Sequence, residues 1–184
     1  MSHWEQPDPV PDEVLVRRAR DGEEAALSAL VKRHADAVYR VALAIAGERD
    51  LAQDISQDAF LKAFRGLDGF RGDASFRTWL LTIVANAARG SLRRHGKRRE
   101  TDLESAPPLI SQAKGPDQMA ELSSESARAR EALGRLPEKQ RLSVQLRVDE
   151  GLSFREIAEV IGSTEGAARV NYFHGIRKLR EWME

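Results

Sequence analysis

The chain has 184 residues, enough for one ordinary domain or two small ones, and 41% of them are apolar. It contains no cysteine, which excludes disulfide frameworks and thiolate zinc sites, and no stretch approaches the roughly 20 apolar residues that span a bilayer. The formal net charge is zero but unevenly spread: Leu61–Glu100 holds ten basic residues against three acidic, whereas Met1–Phe60 holds seven against twelve. A basic segment flanked by acidic ones fits a local polyanion site or, equally, a solvated basic helix end.

Taken in chain order, Met1–Asp12 is acidic and carries three prolines, the wrong character for a signal peptide. Residues 1–20 read as a disordered acidic arm leading into the first helix. That helix carries Leu27, Leu30, Val31, His34, Val38, Val41, Ala42 and Ile45 at steps of three and four, with Asp21 and Glu24 as a capping pair and Gly47 as its end. A second helix opens at Asp50 and runs to about Gly66, with Leu51, Ile55, Phe60, Phe64 and Leu67 on its apolar side. The run Asp68–Asp73 is too glycine-rich for regular structure. A third helix is predicted from about Ser75 to Arg94, fading into a basic run that ends at Arg99.

Residues 100–122 lack periodicity, contain Pro107, Pro108, Gly115 and Pro116, and read as a flexible linker. Beyond it, Glu125–Arg135 is helical, and Pro137 restarts a helix that carries Leu142, Leu146 and Val148 and stops near Gly151. The fold expected is all-α: an N-terminal arm (1–20), a helical module (21–99), the linker (100–122) and a second, smaller helical module (123–184).

The end of the chain is the most specific physical pattern. Ser153 and Glu156 form a capping box that opens a short helix, Gly162-Ser163-Thr164 breaks it, and a longer helix follows from Glu165 to Trp182, with Ala168, Tyr172, Ile176 and Leu179 spaced for the core. This is the helix-turn-helix layout, whose second helix enters the DNA major groove. On that helix Arg169, Phe173 and Arg177 share a face, with Val170, Asn171 and His174 beside them. Arginine can bond two acceptors of guanine, and an apolar group can meet a thymine methyl. An αα-hairpin whose polar face is merely solvated fits the same pattern.

Four segments then resemble, in order and in spacing, the extracytoplasmic-function (ECF) sigma factors. Leu51–Phe64 resembles their region 2.2 and Phe70–Leu80 their region 2.3, while Leu136–Arg141 and Gly151–Ala158 resemble region 4. The resemblance implies a subunit that binds core RNA polymerase and directs promoter-specific initiation, without cofactor or catalysis of its own, in the bacterial cytoplasm. It implies that Asp54, Gln57, Asp58, Lys62 and Arg65 face the clamp helices of the largest polymerase subunit. It implies that Phe70, Arg71, Asp73, Ser75, Asn86, Arg89, Arg93, Arg94, Lys97 and Arg98 serve the minus-ten element, Phe70 and Asn86 lining a pocket for a flipped base. Trp79, set among apolar neighbours, reads as core.

For the minus-thirty-five element the resemblance points to Arg147, Thr164, Glu165, Arg169, Val170, Asn171, Phe173, His174 and Arg177, with a polymerase flap contact from the same module. The recognition helix departs from the family's serine- and arginine-rich run, and Gly175 inside it is expected to cost ~1 kcal/mol relative to alanine. An anti-sigma protein that covers these surfaces is a further expected partner. No membrane insertion and no extra C-terminal sensing domain are expected. Two other classes fit parts of the pattern: a stand-alone helix-turn-helix regulator and a sigma mimic that does not transcribe. His3, His34, His95 and His174 show no metal-ligand spacing, and no phosphate-binding loop, nucleophile elbow or acidic pair supports an enzyme.

Overall fold

The computed structural model describes residues 10–102 and 124–183, with side chains at 10–95 and 128–183, and all regular structure among them is helical. Four helices build the first module: α1 (Asp12–Arg20), α2 (Glu24–Ala46), α3 (Arg49–Arg65) and α4 (Phe76–Asp102). A 3₁₀ turn, Leu67–Gly69, joins α3 to α4. Four more build the second: α5 (Ser124–Arg135), α6 (Glu138–Val148), α7 (Phe154–Ile161) and α8 (Glu165–Met183).

The N-terminal region differs from the expectation. Residues 12–20 form a separate helix, because Leu15, Val16 and Ala19 present an apolar stripe that α2 and α4 bury. Asp21 closes α1 instead of capping α2, and α2 starts beyond Gly22, which adopts the positive φ of 87° that breaks the helix. Asp50 likewise lies inside α3, whose first residue is Arg49. The third predicted helix is longer than expected and carries the basic run as far as Asp102; most of the linker lies outside the described residues. Ser75 caps its start, accepting from the Thr78 backbone N–H at 3.1 Å. Of Leu142, Leu146 and Val148, the apolar residues read on α6, the first two are buried and Val148 is exposed at the helix end.

The capping box at Ser153 and Glu156 forms as expected, with both reciprocal hydrogen bonds present. Gly175 has a structural reason. It is buried where α8 crosses α6, and a Cβ there would stand 2.7 Å from Val144 Cγ2 and 3.3 Å from the Gln140 carbonyl. The glycine costs helix propensity but permits a close helix crossing, so its penalty is offset by packing.

The two modules share one continuous core. Leu142, Leu146, Leu152 and Ile157 of the second pack into the same buried cluster as Leu81, Val84 and Ala88 of α4. Polar groups frame this junction. Arg40 of α2 donates to Glu150 Oε1 from Nε at 2.8 Å and Nη2 at 2.5 Å, and Arg77 of α4 pairs with Glu150 Oε2. Arg77 also donates to the Glu150 carbonyl at 3.0 Å, and Thr78 to Glu156 Oε1 at 3.0 Å. Arg141 reaches back to the Ala44 carbonyl, which closes α2, and Arg89 pairs with Glu138 at 3.0 Å.

Candidate nucleic-acid interface

The junction occupies the α4 face that carries Thr78, Leu81, Ala85 and Arg89. A second face, about a third of a turn away, stays open. There Trp79, Ile83, Asn86, Ala87, Gly90 and Arg94, with Lys62 and Gly66 of α3, line a groove of about 360 Å³. Small side chains at Gly66, Ala87 and Gly90 make the depression; Asn86 offers an amide donor and acceptor; Lys62 and Arg94 add cations. Trp79, expected in the core, packs against it half-buried, and its open flank forms a wall of this groove. Its ring lies 5.0 Å from that of Phe70, whose edge meets Phe76 at 5.9 Å, so Phe70 is anchored by an aromatic cluster and only part of it meets solvent.

The remaining residues expected at this site are spread more widely. Arg71 and Asp73 pair loosely at 3.3 Å on the exposed turn after Phe70, where Gly72 takes a positive φ of 79°. Ser75 is engaged as the helix cap, and Arg89 is held by Glu138 of the other module. Arg93 and Arg94 are exposed; Lys97 and Arg98 lie in α4 with side chains outside the described part. Lys62 stands at the groove and ion-pairs with Asp58 at 2.6 Å, so it belongs to two surfaces at once.

On α3 the outward face brings Asp54, Gln57, Asp58 and Arg65 together. Leu61, 55% exposed, sits at its centre. Sequence reasoning passed over Leu61, although an apolar residue seven positions after Asp54 falls off the buried stripe and was the available signal. An apolar centre with a polar rim suits a protein partner.

In the second module α7 and α8 carry a compact aromatic group. Phe154 lies 5.6 Å from Tyr172 and 6.4 Å from Phe173, and the latter two lie 5.3 Å apart. The guanidinium groups of Arg147 and Arg169 stand 5.1 and 5.2 Å from the Phe154 centroid, where the ring's negative face favours them. Arg147 also donates to the Leu152 carbonyl, and Arg169 to Glu165 at 3.1 Å, so both arginines are held in place. Phe173 and Val170, 57% and 52% exposed, with His174 and Arg177, complete the outward face of α8; Asn171 is half-buried beside them. Thr164 caps α8, its hydroxyl accepting from the Ala167 N–H at 3.2 Å. Phe154 is the platform for both arginines, and Tyr172, read from the sequence as helix core, packs against it.

His34, on the apolar stripe of α2 and without metal-ligand spacing to the other histidines, is buried and bonds Asp12 Oδ2 at 2.7 Å. Burial lowers its pKa, with Asp12 acting in the opposite direction. Among the described residues no cluster of His, Asp and Glu suits a metal ion, and no helix is long and apolar enough to cross a membrane.

Comparison with known proteins matches residues 30–98 to sigma-70 region 2 and residues 126–179 to sigma-70 region 4. The chain is 32% identical to the ECF RNA polymerase sigma-E factor of Escherichia coli K12 over 172 residues, 88% of each chain. It is 29% identical to the RNA polymerase sigma-H factor of Pseudomonas aeruginosa over 170 residues, again 88% of each. Among solved structures, CnrH in complex with the cytosolic domain of CnrY superposes with a TM-score of 0.67 at 28% identity, covering 92% of this chain and 95% of that one. The sigma factor RpoE of Bartonella quintana, in complex with the anti-sigma factor NepR, superposes at 0.68 and 23% identity, covering 83% and 93%.

Proposed function

This chain belongs to the ECF branch of the sigma-70 family, and from that membership we propose which of its surfaces carry out each part of promoter-directed initiation. The chain binds core RNA polymerase and directs transcription from specific promoters. In our reading the α3 face of Asp54, Gln57, Asp58, Leu61 and Arg65 docks on core polymerase, with Leu61 as the buried anchor. The groove between α3 and α4 receives the melted minus-ten strand. Phe70 and Trp79 stack on an unstacked base, Asn86 bonds its edge, and Lys62 and Arg94 meet the flanking phosphates. Arg93, Lys97 and Arg98 extend the cationic track along α4.

The α8 face reads the minus-thirty-five element in duplex form. Arg169, with Arg147 behind it, addresses base acceptors or phosphate, and Val170 and Phe173 address thymine methyls. Neither module is strongly cationic, and the polymerase supplies the tether that makes two weak contacts act together. The subunit itself carries out no covalent step and works in the bacterial cytoplasm. An anti-sigma factor completes the set of partners: CnrH, a solved relative at 28% identity, is in complex with the cytosolic domain of CnrY, and RpoE of Bartonella quintana with the anti-sigma factor NepR.

The observation that carries this reading is the meeting of Asn86, Trp79 and Lys62 in one groove beside Phe70. The test is run-off transcription with purified core polymerase on a library of promoters randomised at both elements. Asn86→Ala is expected to retain core binding and lose selective transcripts. Wild-type transcripts from Asn86→Ala would overturn the groove assignment. Duplex DNA binding without any polymerase binding would return the stand-alone regulator.

A further inference from the structure

The helix α1 falls outside both matched regions, yet it is tied down at both ends. At its start Asp12 bonds Arg33 and His34 of α2; at its finish Arg20 reaches the turn between α3 and α4. Arg20 donates to the Leu67 carbonyl from Nε at 3.0 Å and from Nη2 at 2.9 Å, and Nη2 also bonds the Phe70 carbonyl. These oxygens have lone pairs free for such a donor: the Leu67 carbonyl accepts one bond from within the turn and Arg20 supplies others. The turn is one 3₁₀ unit of three residues, held internally by Gly69 N–H to Gly66 O and Phe70 N–H to Leu67 O. Carbonyls at the end of α3 and its trailing turn lack helical partners, and a cation there is favoured by the local dipole. Directly after the turn come Phe70 and then the exposed Arg71–Asp73.

We propose that Arg20 is a positioning residue for promoter opening: by holding the Leu67 and Phe70 carbonyls it sets where the Phe70 ring stands for base capture. The proposal rests on the minus-ten assignment of Phe70 given above. It gives the N-terminal helix a task in initiation: α1, seated on α2 through the buried Leu15, Val16 and Ala19, carries Arg20 to the base-capturing turn. Without Arg20, Phe70 keeps its aromatic neighbours but its backbone is free to sample other turn conformations, so stacking on the base is diluted.

The test uses holoenzyme assembled from purified core and full-length chain. The probe is the single-stranded minus-ten oligonucleotide that wild-type holoenzyme selects from a random pool, paired with the same oligonucleotide made abasic at the captured position. The readout is the affinity ratio between the two. Phe70→Ala is expected to lower that ratio about 5- to 150-fold, the range for loss of one base–aromatic stack. Arg20→Ala is expected to lower it by about fivefold within that range, Arg20→Lys by less, and the double variant no further than Phe70→Ala alone. Asp12→Ala, which loosens the other end of α1, is expected to lower the melting temperature and leave the ratio unchanged. A wild-type ratio for both Arg20 variants overturns the proposal, as does an effect of Arg20→Ala that adds in full to Phe70→Ala or that Asp12→Ala reproduces. A wild-type ratio for Phe70→Ala would instead overturn the base-pocket reading beneath it.

Discussion

Removing the carboxylate of Glu150 should open the molecule. The minus-ten and minus-thirty-five elements are about 25 base pairs apart, roughly 85 Å at ~3.4 Å per pair. A folded chain of this length is ~40 Å across, from a radius of gyration of about 16 Å. The packed arrangement of the two modules therefore cannot span both elements. The covalent limit of residues 103–123, roughly 70 Å, lets them part. Glu150 sits at the centre of what holds them, its side chain 2% exposed and paired with Arg40 and Arg77. Removing one member of a buried ion pair costs about 3–5 kcal/mol. Here the arginine side chains are 44% and 34% exposed, so water compensates part of the loss, and we expect about 2–3 kcal/mol for Glu150→Ala. That shifts the packed-to-open ratio roughly 30- to 150-fold. Because the chain has no cysteine, Ser28→Cys and Lys139→Cys label it at two defined exposed sites, one in each module. Energy transfer between the labels should fall in Glu150→Ala and stay high in Glu131→Ala, which removes an exposed pair worth less than about 1 kcal/mol. Unchanged transfer in Glu150→Ala, or an equal fall in the control, would refute the reasoning.

Three other outcomes are expected. Gly175→Ala should destabilise the second module by about 1–2 kcal/mol, because overpacking against Val144 outweighs the gain in helix propensity; adding Val144→Ala should recover part of the loss in a denaturation series. His34 has a pKa lowered by burial, so its folded value lies below the unfolded one near 6.5. The stability it contributes is then fully present above about pH 6.5 and is lost as pH falls through the lowered value. Denaturation midpoints should drop between pH 7.5 and 5.5 in the wild type and drop less in His34→Gln, with Asp12, Arg33 and Arg77 as the charges facing the ring. Phe173→Ala should weaken duplex minus-thirty-five binding about five- to tenfold through lost methyl contact and leave core binding intact, measured by holoenzyme gel shift on selected promoters.

Helices α2 to α8 and their order were legible in the chain because helical periodicity is a local property, whereas α1 reads from the sequence as part of an acidic arm. The α2 stripe from Leu30 to Ile45, the glycine stop at Gly47 and the Ser153–Glu156 box all act within a turn or two of themselves. The outward set Arg169, Val170 and Phe173 was legible for the same reason, since residues three and four apart on a helix share a face. Local signals failed where a distant partner decides. Asp21 and Asp50 look like helix caps, but Asp21 closes α1 once that helix has packed on α2, and Asp50 lies in the first turn of α3. Trp79 packs against the core as its apolar neighbours suggest, but that its other flank is a groove wall depends on Gly66, Ala87 and Gly90. The reason for Gly175 lies in Val144, thirty-one positions away, and the reason for Glu150 lies in Arg40 and Arg77, more than seventy positions away. Which face of a helix is apolar is written along one turn of chain; which other helix that face meets is settled only when burial brings distant segments into contact.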